Sequence, residues 1–201
     1  MIAIIDYGMG NLYSVEKAFA KLGADAVITS DPKVIITAEK VVLPGVGAFG
    51  DCMKNLVNYK LVDVIHQVIN KGTPFLGICL GLQLLFDGSE EDPDVKGLGV
   101  FPGTVRKIEA PGLKVPHMGW NNLSFPSQTP LFSNVSQDSY VYFVHSYHAV
   151  PNDSSIITAV TDYGGSVTAA VGRGNVQAVQ FHPEKSSSVG MKILANFKEM
   201  K

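Results

Sequence analysis

The sequence has few cysteines, no long apolar run and no marked excess of charge of either sign. Cys52 and Cys79 are its only cysteines, too few for a disulfide framework and compatible with a reducing compartment. The formal net charge of −2 gives no reason to expect nucleic acid or an anionic membrane as a partner. No stretch approaches the roughly 18 apolar residues of a membrane span, and Ile2–Ile5 is too short for a signal peptide. We therefore expect a cytoplasmic protein.

Metal-binding motifs are lacking as well. The five histidines form no H-x-H or H-E-x-x-H pattern and no C-x-x-C motif occurs, so neither a metal site nor a cofactor is expected. Apolar residues make up 46% of the chain and charged residues 17%, which is enough for a buried core. A length of 201 residues predicts one domain that spans 1–201.

The first half of the chain alternates apolar strands with amphipathic helices. Strands are predicted at 2–5, 26–29, 41–43 and 75–78. Helices are predicted after Asn11, which is expected to cap its helix, after Asp31, from Leu61 to Gly72, and over 80–86. This alternation predicts an α/β fold with a mostly parallel central sheet and helices on both faces, as in flavodoxin-like proteins.

The second half consists of short β-rich runs separated by glycine and proline. The runs lie at 105–108, 140–144, 156–161, 167–171 and 176–181, and they predict antiparallel additions to the main sheet. A hairpin turn is predicted at 172–175 and a last helix from Ser187. The acidic segment 87–94 is expected to be a loop.

Cys79 follows an apolar strand and stands between Gly77 and Gly81. This spacing is typical of a nucleophile held on a sharp strand-to-helix turn. The start of the following helix would favour a thiolate, and the amide of Leu80 would be placed to donate to an oxyanion. The alternative is a buried cysteine that packs as a small hydrophobe.

His182 and Glu184 come directly after the predicted strand at 176–181. In extended backbone two residues apart they would project to the same side, so Glu184 could accept from one ring nitrogen while the other faces Cys79. A thiol, a base and a carboxylate that orients the base are the parts needed for acyl transfer through a thioester. The alternative is a His-Pro turn at the surface with a solvated carboxylate.

Two glycine-rich loops follow predicted strands. The segment 6–11 resembles the start of a dinucleotide fingerprint, but Tyr13 occupies the place of the third glycine, so a tight turn is the better interpretation. The segment 44–50 could bring a backbone amide to a second oxyanion position, or it could be a simple connection. Among the other histidines, His66 is expected on a helix surface and His117 on a loop, while His145 could line a pocket.

These segments resemble the class I glutamine amidotransferases, and within that class the glutaminase subunits of imidazole glycerol phosphate synthase. The resemblance covers nearly the whole chain, and its motifs lie at 5–11, 43–47, 77–85, 116–121, 142–147 and 180–186. It implies one glutamine amidotransferase type-1 domain in which Cys79 attacks the carboxamide of L-glutamine, His182 transfers protons and Glu184 orients His182. The oxyanion donors it implies are the backbones of Leu80, Val46 and Gly47. The substrate-binding residues it implies are Gln83, Glu91, His145 and Tyr147.

The resemblance also implies a partner. Ammonia would pass to a separate (β/α)8 cyclase subunit in a heterodimer, which makes imidazole glycerol phosphate and aminoimidazole carboxamide ribotide in histidine biosynthesis. The residues implied to face this subunit are Asn11, Trp120, Asn121 and Lys185, although Trp120 could instead pack in the core. Three other readings stay open: a glutaminase for another acceptor synthase, a cysteine peptidase or thioesterase, and a non-catalytic regulatory subunit.

Overall fold

The computed structural model describes all of residues 1–201 as thirteen strands, six α-helices and short 3-10 turns. The strands are β1 (Ile2–Ile5), β2 (Ala26–Thr29), β3 (Lys40–Gly45), β4 (Phe75–Cys79), β5 (Phe86–Ser89), β6 (Asp92–Lys96), β7 (Phe101–Lys107), β8 (His117–Asn122), β9 (Tyr140–His145), β10 (Tyr147–Pro151), β11 (Ile157–Asp162), β12 (Ser166–Arg173) and β13 (Val176–Val179). The helices are α1 (Leu12–Lys21), α2 (Pro32–Thr37), α3 (Phe49–Asn58), α4 (Val62–Asn70), α5 (Leu80–Gln83) and α6 (Ser187–Glu199).

A seven-stranded sheet in the order β11-β12-β13-β4-β3-β1-β2 forms the centre. Strands β2, β1, β3, β4 and β13 are parallel, whereas β12 and β11 add on antiparallel. Side chains alternate between the two faces of β1, so that Ala3 and Ile5 join one core cluster and Ile2 and Ile4 the other. The predicted α/β fold with antiparallel additions in the C-terminal half is confirmed.

Several of these helix and turn positions were predicted correctly from local sequence signals. Asp31 caps α2, because its side chain accepts a hydrogen bond of 2.9 Å from the amide of Lys33. The hairpin between β12 and β13 turns at Gly174, which has a φ of +57°. Asn11 occupies the cap position of α1, but its side chain makes no capping hydrogen bond. None of the helices is both long enough and apolar enough to span a membrane.

Elements that depend on distant contacts were not predicted. Helix α3 has no capping side chain of its own at Ala48. Its first amide, that of Phe49, donates instead to Glu91, which is far away in sequence, at 2.9 Å. The predicted loop at 87–94 is wrong, because β5 and β6 pair there and β5 also pairs with β7. Helix α5 ends at Gln83, earlier than predicted, since β5 begins at Phe86.

Strands β4 and β13 set up the chemistry at one edge of the central sheet. They are neighbours and parallel, with Val179 opposite Ile78. Their carboxyl ends therefore meet at the same edge, where ligands bind in open α/β sheets. Cys79 is the last residue of β4 and His182 lies three residues after the end of β13, so the topology brings the two to the same edge.

Candidate active site

Cys79 stands on a strained turn between β4 and α5. Its φ is +56° and its ψ is −111°, a conformation that residues with a side chain rarely adopt and that is characteristic of functional turns. A Cβ at Gly81 would collide with the carbonyl oxygen of Leu43, and one at Gly77 would lie 2.7 Å from the carbonyl oxygen of Gly81. The two glycines therefore allow the turn to pack against β3, as the predicted nucleophile elbow requires.

His182 is held by its backbone and by Glu184. Its amide donates to the carbonyl of Tyr142 at 3.0 Å, and its carbonyl accepts from the hydroxyl of Ser186 at 2.6 Å. Its Nδ1 lies 2.8 Å from Oε1 of Glu184. The geometry differs from the predicted extended backbone, because Pro183–Lys185 form a 3-10 turn and the strand before them ends at Val179. The turn still brings the carboxylate under the ring.

The electrostatics of this pair favour a charged imidazole. Burial lowers the pKa of His182, but the interactions with Cys79 and Glu184 outweigh burial and raise the pKa to about 10. The His182 ring and the Glu184 carboxyl are almost completely buried, while Nε2 of His182 has no hydrogen-bond partner. Nδ1 donates to Glu184, which leaves Nε2 to exchange a proton with whatever occupies the site.

A cavity of about 330 Å³ opens in front of Cys79 and His182. It is of the size expected for a small-molecule site. Except for Glu184, which lies behind His182, all predicted catalytic, oxyanion and substrate residues line it. The lining residues are Val46, Gly47, Cys79, Leu80, Gln83, Glu91, Pro116, Val144, His145, Ser146, Tyr147 and His182.

Two buried glutamines support the wall of the cavity. Nε2 of Gln83 donates to the carbonyl of Tyr147 at 3.1 Å and to Oε1 of Gln180 at 3.0 Å. Gln180 in turn places its Nε2 3.7 Å from the sulfur of Cys79. No role was predicted for Gln180. It is fully buried, where an amide needs hydrogen-bond partners, and its sequence gives no sign of them, because Gln177 lies in the same run.

The hydrogen bonds of His145 determine which of its ring nitrogens donates and which accepts. Its Nδ1 lies 2.8 Å from the carbonyl of Tyr147 and must donate there, so its Nε2 accepts from Nδ1 of His117 at 2.9 Å. Both rings are neutral, since burial lowers the pKa of His117 to about 4 and that of His145 to about 3. The loop predicted for His117 is wrong: His117 lies buried in β8, which pairs antiparallel with β9.

Of the four residues predicted to face a partner, Trp120 and Lys185 are exposed, and Asn11 and Asn121 are half-buried. Trp120 is 53% exposed, which excludes the alternative that it packs in the core. Its ring lies 6.2 Å from that of Tyr142, the residue whose carbonyl holds His182. Lys185 is exposed on the turn next to Glu184, and Asn11 is half-buried at the start of α1. Asn121 donates to the carbonyl of Asp162 at 2.8 Å.

The sequence matches known proteins over its full length. The model of the glutamine amidotransferase class-I family matches residues 3–200. Imidazole glycerol phosphate synthase subunit HisH of Geobacter sulfurreducens is 54% identical over 206 residues, with 100% of this chain and 99% of the relative covered. The subunit of the same name from Methanothermobacter thermautotrophicus is 51% identical, with 100% and 98% covered.

Solved structures share the fold at much lower identity. One glutamine amidotransferase crystal structure superposes with a TM-score of 0.78 at 18% identity, covering 99% of this chain and 98% of that one. PurLQS from Thermotoga maritima gives a TM-score of 0.74 at 19% identity, covering 98% and 96%. These likenesses show the fold. The family model and the relatives that are more than half identical show that the chain belongs to the class I glutamine amidotransferase family, among the HisH-type subunits.

Proposed function

We propose that the chain hydrolyses L-glutamine to L-glutamate and ammonia through a thioester on Cys79. The observation that carries the proposal is the meeting of a strained cysteine and a Glu184-bound His182 in one cavity. The cavity is also lined by Gln83, which the family resemblance assigns to the amino-acid end of the substrate, and by Glu91, which it assigns to substrate binding. The domain that carries this chemistry spans 1–201.

The reaction needs two proton transfers at one nitrogen. The thiolate of Cys79 attacks the carboxamide carbon, and the electron pair of the carbonyl moves onto its oxygen. The imidazolium of His182 then gives its Nε2 proton to the leaving ammonia as the oxyanion collapses to a thioester. Neutral His182 next takes a proton from water, which attacks the thioester and returns the thiolate and glutamate. The unpartnered Nε2 of His182 is the atom that serves both transfers.

The oxyanion would be met by backbone amides. The amide of Leu80 begins α5 directly after the nucleophile, where a helix N-terminus carries partial positive charge. The amides of Val46 and Gly47 make no hydrogen bond within the protein and border the same cavity. Such free donors stabilise the negative charge that forms only in the transition state.

Glu184→Gln is expected to retain measurable activity. The amide oxygen of glutamine can still accept from Nδ1 of His182, but the negative charge that stabilises the imidazolium is lost. We expect kcat to fall by about 10²-fold, less than for loss of the nucleophile. The pKa of His182 falls as well, so the alkaline limb of the pH profile of kcat/KM moves to lower pH. A pH–rate profile with glutamine measures both effects; wild-type rates and an unshifted limb would remove Glu184 from the triad.

The raised pKa of His182 also makes the stability of the fold depend on pH. Its charged form contributes stability that is fully present below the unfolded pKa of about 6.5 and is lost as pH rises through the folded value. Glu184→Gln should therefore reduce the free energy of unfolding most below about pH 6.5 and least above about pH 10. Thermal unfolding of both proteins across this range gives the comparison.

The second part of the proposal is that ammonia passes to a separate (β/α)8 cyclase subunit. The relatives are subunits of imidazole glycerol phosphate synthase, and the exposed residues Trp120 and Lys185 lie beside the active site. A partner docked there would cover the cavity end of the central sheet. Ammonia released at Cys79 would then leave through the interface, for use in the formation of imidazole glycerol phosphate.

Trp120→Ala is expected to weaken association with the cyclase subunit more than it weakens folding. A half-exposed tryptophan contributes little to the free energy of unfolding, but aromatic anchors often supply 2 kcal/mol or more of binding, roughly 30-fold in Kd. Calorimetric titration with the cyclase subunit measures the change. Val57→Ala, at a residue 60% exposed on α3, is the matched control. Equal Kd values for Trp120→Ala and wild type would show that this face is not the interface.

The activity assay tests both parts together. Glutamate formation is measured for the purified chain alone and with a cyclase subunit that carries its nucleotide ligand. The proposal predicts glutamate formation that increases with the partner. No glutamate in either condition from the folded protein would contradict it and would favour a non-catalytic subunit. Activity that no cyclase subunit changes would favour another acceptor synthase.

A further inference from the structure

The sulfur of Cys79 receives a hydrogen bond from a side chain that does not line the cavity. Nε2 of Gln180 lies 3.7 Å from this sulfur, an ordinary length for a bond to so large an acceptor atom. His182 interacts with the same sulfur, but its Nε2 has no hydrogen-bond partner. Gln180 is completely buried. Its amide therefore approaches the nucleophile from inside the core, and not from the space that a substrate would occupy.

The backbone of Gln180 is fixed at the end of β13. Its amide donates to the carbonyl of Ala169 at 2.8 Å, which continues the pairing between β13 and β12. Alternate residues of a strand point to the same face of the sheet, and Ala178 belongs to the core cluster that also contains Leu80. Gln180, two residues after Ala178, therefore projects to the face on which α5 begins, where its side chain meets Gln83.

The hydrogen-bond network allows only one orientation of the two buried amides. The carbonyl of Tyr147 can only accept, so the group of Gln83 that lies 3.1 Å from it must be the NH2 group. That NH2 group also lies 3.0 Å from the amide of Gln180 and needs an acceptor there, which is Oε1. The NH2 group of Gln180 must then face Cys79. Reversal of either amide would place two donors or two acceptors against each other.

A donor at this place favours the charged form of the sulfur. A thiol accepts hydrogen bonds only weakly, whereas bonds to an ionised acceptor are about twice as strong as bonds between neutral groups. The proton that leaves the thiol can pass to Nε2 of His182, which has no partner. The sulfur of a cysteine can turn only about the Cα–Cβ bond, and the hydrogen bond from Gln180 restrains that rotation.

We propose that Gln180 is the hydrogen-bond donor that stabilises the thiolate of Cys79 and holds its sulfur in place at the cavity. Gln83 and the carbonyl of Tyr147 set the direction of this donor. The inference rests on the proposed glutaminase function and adds a residue to its catalytic centre. It also gives Gln83 a second role besides substrate binding, because the amide protons of Gln83 are donated to Tyr147 and Gln180.

Two substitutions of Gln180 separate this role from a merely structural one. Gln180→Met keeps the length of the side chain and removes both hydrogen bonds. Gln180→Glu keeps an acceptor for Gln83 but turns an oxygen toward the sulfur, where its negative charge opposes a thiolate. Gln177 provides the matched control, because it is a glutamine of β13 that is 4% exposed and bonds to Gly174, away from the cavity. Thermal unfolding of Gln177→Met and Gln177→Glu beside the Gln180 variants accounts for lost stability.

The rate at which iodoacetamide labels Cys79, followed by mass spectrometry over a range of pH, requires neither glutamine nor a partner. Loss of a hydrogen bond to a charged group should lower this rate about tenfold near neutral pH in Gln180→Met, and about 10²-fold in Gln180→Glu. At high pH the Gln180→Met rate should approach that of wild type, because the thiol is then ionised in both proteins. A side chain that only fills space would instead give rates that follow thermal stability and keep the wild-type pH profile.

Steady-state kinetics with glutamine and the cyclase subunit test both hydrogen bonds of Gln180. Gln180→Glu should lower kcat about 10²-fold with little change in KM, whereas Gln180→Met should also raise KM, because Gln83 loses its acceptor. The Gln177 variants should keep kcat within about twofold of wild type. Wild-type labelling and kcat in a folded Gln180→Met or Gln180→Glu protein would overturn the role of Gln180 and leave the glutaminase proposal intact. A wild-type protein that forms no glutamate with its partner would overturn both.

Discussion

Cys79→Ser should abolish glutaminase activity and leave the fold intact. Serine is nearly isosteric with cysteine and can adopt the same φ of +56°. It is a much poorer nucleophile, because a hydroxyl is far less acidic and less polarizable than a thiol. We expect kcat to fall by about 10⁴-fold or more. Glutamate release in a coupled assay, measured with the cyclase subunit present, gives the rate.

The second cysteine of the chain provides the control for reactivity. Cys52 is fully buried, and burial raises its pKa to about 11, whereas Cys79 borders the cavity. Iodoacetamide should therefore label Cys79 quickly and Cys52 slowly, and glutamine should protect Cys79. Substantial turnover by Cys79→Ser, or equal labelling of the two thiols, would show that Cys79 is not the nucleophile.

His182→Asn should cause the second largest loss. Asparagine can still donate to Glu184, so the buried carboxylate keeps a partner, but no group remains to protonate the leaving ammonia or to activate water. General acid–base catalysis of this kind contributes about 10²- to 10⁴-fold, and we expect a fall in kcat near the upper end. Single-turnover measurements should show both thioester formation and its hydrolysis slowed.

A matched variant separates this effect from the loss of any histidine. His66 lies half-buried on α4, away from the residues that line the cavity, so His66→Asn should keep wild-type kcat. Addition of imidazole to His182→Asn offers a further check, since a small base that enters the cavity can restore part of the rate. Activity of His182→Asn close to that of His66→Asn would exclude His182 as the acid–base group.

The parts of the fold that follow from local periodicity could be predicted from the sequence. β1 is a short apolar run, and α1 is an amphipathic stretch that ends before Gly23, so their positions are encoded within the segments themselves. For segment 87–94 the same reasoning predicted a loop, which is wrong. Its acids are exposed or half-buried, in β5, in β6 and in the connection between them, and in the two strands only Phe86 and Ser89 are buried. The segment forms strands because β5 pairs with β7, which lies later in the chain.

In the candidate site, too, some residues could be predicted from the sequence and others could not. Cys79 could be found because its glycines lie two residues to either side, and His182 because Glu184 lies two residues after it. Gln180 and Cys52 act through atoms that meet only after folding, at the sulfur of Cys79 and the carbonyl of Val46. Neither lies in a spacing pattern: Gln180 is 101 residues from Cys79, and Cys52 reaches Val46 only because the loop turns back onto α3. Such supporting residues require a three-dimensional structure.

The central claim is that glutamine acylates Cys79. The most direct measurement is acid quench of the protein during turnover, followed by proteolysis and mass spectrometry of the two cysteine-containing peptides. The account predicts that the Cys79 peptide gains the mass of one glutamyl group, that hydroxylamine removes it, and that Glu184→Gln changes the amount that accumulates. Glutamate formation with no acylated Cys79 peptide at any quench time, or with the label on Cys52, would contradict it.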